Sequence, residues 1–123
     1  MNNINVEIWG RKFDLYVSYQ NFPDETVTPN QTATLNAIAS VDFSESLINV
    51  KQYVLKHNEY DIKSNYIDNI FKYVVPKSIL ITRTKGNRVF AIMCHYKFDM
   101  EHGLAVVFEN EKFKEVGSED IIL

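Results

Sequence analysis

The sequence predicts an α+β fold: an antiparallel sheet of about six strands, made of an N-terminal hairpin and a C-terminal four-stranded meander, with a helical insertion packed on one face. Three observations carry this. Phe90, Ile92, Cys94, Tyr96 and Phe98 recur at every second position, as do Leu104, Val106 and Phe108, which is the period of one strand face. Between the first twenty residues and the last third, the apolar period becomes helical. Eight Phe, seven Tyr and one Trp supply the wide, flat side chains that sheet faces favour.

The first element is a hairpin with its two-residue loop at Gly10-Arg11, pairing Ile8 with Phe13, Val6 with Leu15 and Ile4 with Val17. Its other face carries Asn5, Glu7, Trp9, Asp14 and Tyr16, with Glu7 set opposite Asp14 as a like-charge pair. A polar stretch with two prolines follows. Thr28-Pro29 then reads as an N-cap and first-turn proline, opening a helix with Leu35, Ile38 and Ala39 on one face. Ser44 caps a second, longer helix through Leu47, Ile48, Val50, Val54 and Leu55, ending near Asn58. Tyr66, Ile67, Ile70, Phe71 and Val74 are spaced for a third helix, which Pro76 should terminate.

Beyond Pro76 the period returns to two. A loop at Gly86-Asn87 sets Ile79 opposite Cys94 and Ile81 opposite Ile92. The turn Asp99-Met100-Glu101-His102-Gly103 sets Phe98 opposite Leu104, Tyr96 opposite Val106 and Cys94 opposite Phe108. A last hairpin at Asn110-Glu111 places Phe108 beside Phe113.

A chain of 123 residues suits one domain, residues 1–123, large enough to fold on its own core. The net charge of −3, with basic residues scattered rather than striped, argues against nucleic acid as a partner. One cysteine, Cys94, rules out an internal disulfide, and the opening Met1-Asn2-Asn3-Ile4-Asn5 lacks the basic and apolar regions of an export signal. No apolar run is long enough to span a membrane. These features point to a reducing cytoplasm.

The side chains that could carry chemistry are few. Asp99, Glu101 and His102 gather in one turn and are the candidates for a catalytic or metal site. Five residues of hairpin loop offer at most three ligands that splay apart, whereas a structural zinc site wants four. A structural account is simpler: Asp99 accepts from loop amides, Gly103 supplies a positive φ, and His102 bonds locally. Cys94 and His95 are adjacent but point to opposite faces of a strand and cannot meet. His57 suits the C-terminal end of a helix. The dinucleotide, P-loop, zincin, CxxC and nucleophile-elbow patterns are absent, so no cofactor is implied.

Phe98, Asp99, Glu101, His102, Gly103, Leu104, Val106 and Phe108, followed by Val116, Gly117 and Asp120, resemble a family of small, mostly bacterial, uncharacterised domains. Their sequences carry an aromatic-D-x-E-H-G turn, a strand and a V-G-x-x-D tail. Thr28-Pro29-Asn30-Gln31 and Leu35 are similar to that family's helix start. Phe98 stands where the pattern has tryptophan, and Ala105 where glycine is common. The resemblance implies an α+β fold and brings no activity, substrate or cofactor. In size and style such domains are similar to toxin-immunity and other defence-associated binding proteins, an analogy of fold only.

The sheet face opposite Phe90 and Ile92 is also apolar, carrying Val89, Ala91, Met93, Ala105, Val107 and Val116 in these registers. Three helices cover one face, so the other needs a loop, the N-terminal hairpin or another chain. Trp9, Tyr16, Met93, Val107 and Val116 are therefore the expected interface, facing a protein partner or a second copy. The functional expectation is a non-enzymatic protein-interaction module of the immunity type. Its rival is a small enzyme or metal-binding domain using Asp99, Glu101 and His102.

Overall fold

In the computed structural model, which describes residues 3–123, six strands form one sheet in the spatial order of the chain. They are β1 (Asn3–Ile8), β2 (Arg11–Tyr19), β3 (Val74–Ile81), β4 (Val89–Tyr96), β5 (Leu104–Glu109) and β6 (Lys112–Gly117). Between β2 and β3 lie α1 (Pro29–Ile38), α2 (Ser44–His57) and the single turn α3 (Glu59–Ile62). The fold is α+β, but the sheet is mixed. β2 runs parallel to β3, pairing Tyr16 with Ser78 through Tyr19 with Ile81, and every other neighbour is antiparallel. The expectation of a purely antiparallel sheet fails because the helical segment acts as a crossover, returning the chain to the same end of the sheet, which only a long connection can do.

The helices form as their ends dictate. Thr28 Oγ1 accepts from the Gln31 N–H at 3.1 Å while Gln31 Oε1 accepts from the Thr28 N–H at 3.0 Å, a reciprocal capping box ahead of Pro29. α2 starts where Asp42 accepts from the Ser44 N–H and hydroxyl. It buries Ser46, Val50 and Val54 against the sheet. The core between helices and sheet holds Ile38, Val50, Val54, Ile79, Ile92, Leu104 and Val106. Phe90 stacks on Phe108 at 5.0 Å between ring centroids, and Phe43 meets Phe108 edge-on at 5.2 Å.

No third helix spans residues 66–75. Ile67 and Ile70 are buried, but the segment is irregular with one 3-10 turn, Ile70–Lys72, and strand begins at Val74. Asn69 explains the break: its side chain accepts from the Phe71 N–H at 3.1 Å, a local bond that competes with a longer helix. Pro76 is not a terminator. It lies inside β3 at a bulge, where β2 does not reach, so its missing N–H costs no ladder bond on that side.

Three hairpin registers differ from the sequence reading, each by an even number of residues. The first turn is Trp9-Gly10, both with positive φ, so Ile8 faces Arg11 and Glu7 faces Lys12. The Glu7–Asp14 repulsion therefore does not arise, since Asp14 faces Asn5. Ile79 faces Ile92 rather than Cys94, and Cys94 faces Leu104 rather than Phe108. Phe108 does face Phe113. A bulge between Val107 and Phe108 then shifts the pairing by one, setting Val116 against Val106. Val116 consequently packs with the helix-side core and not on the second face.

The second face is closed by the chain itself. Leu80, Val89, Ala91, Met93, Ala105 and Val107 form a separate buried cluster, with Ile122 packed on it. After β6 the chain turns back across this face. The Glu119 N–H donates to the His102 carbonyl at 3.1 Å, the Glu119 carboxylate meets Lys77 Nζ of β3 at 3.2 Å, and Gln20 Nε2 beyond β2 donates to the Ile122 carbonyl at 3.0 Å. Residues 118–123 thus strap the sheet from β6 to β2.

Candidate functional site

The Asp99–Gly103 turn is tighter in chemistry than in pairing, because β4 ends at Tyr96 and leaves residues 97–103 as loop. Asp99 works as a local acceptor. Its Oδ1 takes the His102 N–H at 3.1 Å, and both carboxylate oxygens lie 3.1 Å from His102 Nδ1. The His102 backbone N–H, then its ring, holds the Asp99 carboxyl below its usual range. Asp99 in turn raises the His102 imidazole, first by the hydrogen bond and then by its charge, with Glu101 and Asp120 adding to it. The pair stands at the surface and forms an ion pair whenever His102 is protonated.

Gly103 has φ +62°, and a Cβ there would lie 2.8 Å from Glu119 Cδ and 2.9 Å from the Cys94 carbonyl oxygen. The turn is therefore the anchor of the strap. Glu119, which the sequence reading did not single out, seats its backbone on His102 and its side chain over Gly103. Gly117 pairs with Ala105 and lies against Ile121. The two stretches that carried the resemblance, the D-x-E-H-G turn and the V-G-x-x-D tail, meet in space as one unit.

Asp99 and His102 are brought together, while Glu101 touches Asp99 through its backbone N–H and not through its carboxylate. Among the described residues no three His, Cys, Asp or Glu side chains are placed to hold a metal. Cys94 is fully buried, and that burial pushes its thiol well above the ordinary range, the opposite of an activated nucleophile. His57 Nδ1 lies 2.8 Å from the Tyr53 carbonyl on the same helix. His95 is exposed on the face opposite Cys94.

The five expected interface residues do not share a surface. Trp9 sits in the β1–β2 turn and is 9% exposed, its indole N–H donating to Ser46 Oγ of α2 at 3.0 Å. Phe71 flanks it at 6.0 Å, with the Arg11 guanidinium 4.1 Å from that ring's centroid. Val107 is 2% exposed and Met93 is buried, both under the strap. Val116 belongs to the other face. Tyr16 alone is open, at 52%.

An open feature lies elsewhere, along β1. Among the described residues this strand pairs only with β2, and three cavities of about 350, 330 and 360 Å³ lie along it. Asn5 and Val6 line all three; Ile38 and Ala39 at the end of α1 wall two of them, with Leu35 in one, and Lys12 of β2 lines the third together with Glu7. Glu7 and Asp42 line the cavity nearest α2, and no Lys, Arg or His lines it. Ser44's hydroxyl and N–H hold the Asp42 carboxyl below its usual range, so it stays charged. Sequence patterning gives no sign of this groove, because it arises from where α1 comes to rest.

A family model for a domain of unknown function, DUF6985, matches residues 2–123. The chain belongs to this family. The match takes in both sheet edges, the helices and the strap, so this DUF6985 domain is the whole fold described above. No curated protein and no solved structure matches the chain. Among the described residues no helix is long and apolar enough to cross a membrane.

Proposed function

We propose that this DUF6985 domain is a protein-interaction module of the reducing cytoplasm, of the immunity type, that acts by binding rather than by chemistry. The observation that carries this reading is the unguarded edge of β1 with its run of cavities. A sheet edge of unpaired backbone groups is a ready template for another chain, and most folds blunt it. The opposite edge is blunted. β6 carries Lys112, Lys114 and Glu115, with a bulge in its pairing to β5. β1 has neither proline nor lysine. The groups that would support catalysis are spent on structure instead: Asp99 on His102, Glu119 on Lys77 and Arg88 on Glu111.

The rival reading rests on the exposed Asp99–His102 pair, a carboxylate that orients and charges an imidazole. Among the described residues no third His, Cys, Asp or Glu is placed to complete a metal site with it. Two measurements separate the readings. The purified domain, mixed with the purified product of a toxin-like reading frame beside its gene, should give a stoichiometric complex by light scattering. A panel of hydrolase and transferase substrates should show no turnover that His102→Ala abolishes. Turnover lost in that variant, with no complex, would replace binding by catalysis.

A further inference from the structure

We propose that the cavity at the carboxyl ends of β2 and β3 binds a small, neutral aromatic amide, its ring against Phe22 and its amide group on Arg83, Asn21 and Gln20. This site is separate from the β1 edge and goes beyond the protein-binding reading, which stands or falls without it. β2 and β3 are the parallel pair, so they end together, Tyr19 beside Ile81. From there one segment leaves for α1 and the other for β4, and diverging connections at the carboxyl ends of parallel strands leave a crevice between them. Here it measures about 610 Å³, larger than any of the cavities along β1 and of small-molecule size. Its lining comes from three segments: residues 19–25, Leu80 with Arg83, and Leu123 at the end of the strap.

Phe22 and Leu123 are each 75% exposed, and both line this one cavity together with Tyr19 and Leu80. Apolar side chains left open around a concavity mark a binding surface. The polar part is set in advance by bonds within the chain. Arg83 Nη1 donates to Asn21 Oδ1 at 2.8 Å and to the Thr26 carbonyl at 2.9 Å, while Arg83 Nε lies 3.2 Å from Glu25 Oε2. Glu25 Oε1 accepts from the Phe22 N–H at 2.7 Å, Gln31 Nε2 of α1 donates to Asn21 Oδ1 at 3.0 Å, and Gln20 Nε2 holds the Ile122 carbonyl. These bonds fix the side chains and decide what they have left. Arg83 Nη2 and Asn21 Nδ2 keep N–H donors and Gln20 Oε1 keeps an acceptor, none of them hydrogen-bonded to a described residue.

That inventory selects the head group of the ligand. Arg83 and Glu25 already form an ion pair, so the site carries no net charge to be matched. An ammonium would meet the guanidinium and find an open acceptor in Gln20 alone. A carboxylate would take the donors but sit beside Glu25 and leave Gln20 Oε1 unmatched. A neutral amide gives its C=O to Arg83 or Asn21 and its N–H to Gln20, so both kinds of open group are satisfied and no charge is buried.

The probes are benzamide, nicotinamide and indole-3-acetamide, each with its matching carboxylate and its matching amine, titrated into the isotope-labelled domain and followed by NMR. At least one amide should give saturable shifts at Tyr19, at the Asn21 side-chain amide and at Leu123, and should bind at least about tenfold more tightly than its acid and its amine. Phe22→Ala removes an exposed ring, so Tm should hold while that amide loses about tenfold in affinity. Arg83→Lys keeps a positive charge beside Glu25 but removes Nη2, and should weaken binding by a similar factor of about ten. No saturable shift at these residues with any of the amides, equal or tighter binding of the acid or the amine, or full affinity in Phe22→Ala would each overturn the proposal. A Gly-Gly-Trp-Gly-Gly peptide blocked at both ends carries the same ring and amide groups. If it binds more tightly than indole-3-acetamide, the occupant is a polypeptide and the small-molecule site is lost.

Discussion

A side chain at position 103 has nowhere to go. Its backbone sits at φ +62°, and a Cβ would strike the Cys94 carbonyl, which cannot move without moving β4. Gly103→Val should therefore cost about 3 kcal/mol in denaturant melts, combining αL strain with a backbone clash. Gly10→Ala, at φ +84° with no atom within 4 Å of its Cβ, should cost only about 1 kcal/mol. Glu101→Ala should change little. Equal effects at 103 and 10 would remove the close approach from the account. Beside this glycine, the Asp99–His102 pair fixes a pH window. His102 is raised in the fold, so its contribution is complete below its unfolded value and fades as pH rises through the folded one. Asp99 is lowered, so its contribution is complete above its unfolded value and fades as pH falls through the folded one. The Tm difference between wild type and His102→Asn should peak at about pH 5 to 6 and shrink toward pH 8. A flat difference would mean the ion pair contributes nothing. The turn's glycine and its Asp99 acceptor were legible from residue type alone. The partner that makes Gly103 indispensable, Glu119, was not, because nothing local in sequence ties position 119 to 103.

At the scale of elements, the single tryptophan joins the first hairpin to α2. Ser46→Ala leaves the buried Trp9 N–H without its acceptor and should cost about 1 to 3 kcal/mol. Adding Trp9→Phe removes the orphaned donor, so the double variant should be less destabilised than the two single changes sum to. Strict additivity would mean the bond contributes nothing. Trp9 also shows how far patterning reaches. Alternation placed the core residues it read as strand on their proper faces except Val116, though it missed Val74 as strand, while hairpin registers slid by even steps. An even slip leaves faces unchanged, so a period of two reports the face and is blind to the register. Register came instead from turns: Trp9 takes positive φ beside Gly10, an arrangement that residue type argues against. Val116 fell on the wrong face because one bulged residue reverses parity. The spurious third helix had apolar spacing but ran into Asn69 and the β-branched pair Val74-Val75, where local bonding and strand propensity prevail.

For the whole molecule, two faces and two covers make a three-layered body: helices, sheet, strap. Its core leaves Cys94 no route to solvent short of opening the sheet, so the thiol's reaction with an aromatic disulfide reagent should track global unfolding across destabilised variants. Fast labelling of the native domain would contradict that burial. Chelators and added zinc, manganese or calcium should leave Tm unchanged, since a native-state site would raise it by mass action. A rise of several degrees with one ion, lost in His102→Ala, would restore the metal reading. The fold class was legible because sheet and helix periods are strong. The mixed topology was not, because strand direction depends on where a long crossover returns, and no residue marks that. The strap has a further bearing on how the chain is made. All six strands precede residues 118–123 in the chain, so until those residues dock the sheet stands with Leu80, Met93 and Val107 bare. Synthesis runs at about 5 to 20 residues per second, and apolar strands left open for that interval are what chaperones recognise. Ile122→Asp, which cannot seal that face, should therefore lower the soluble yield in cells more than its effect on the melting curve of the purified domain would account for.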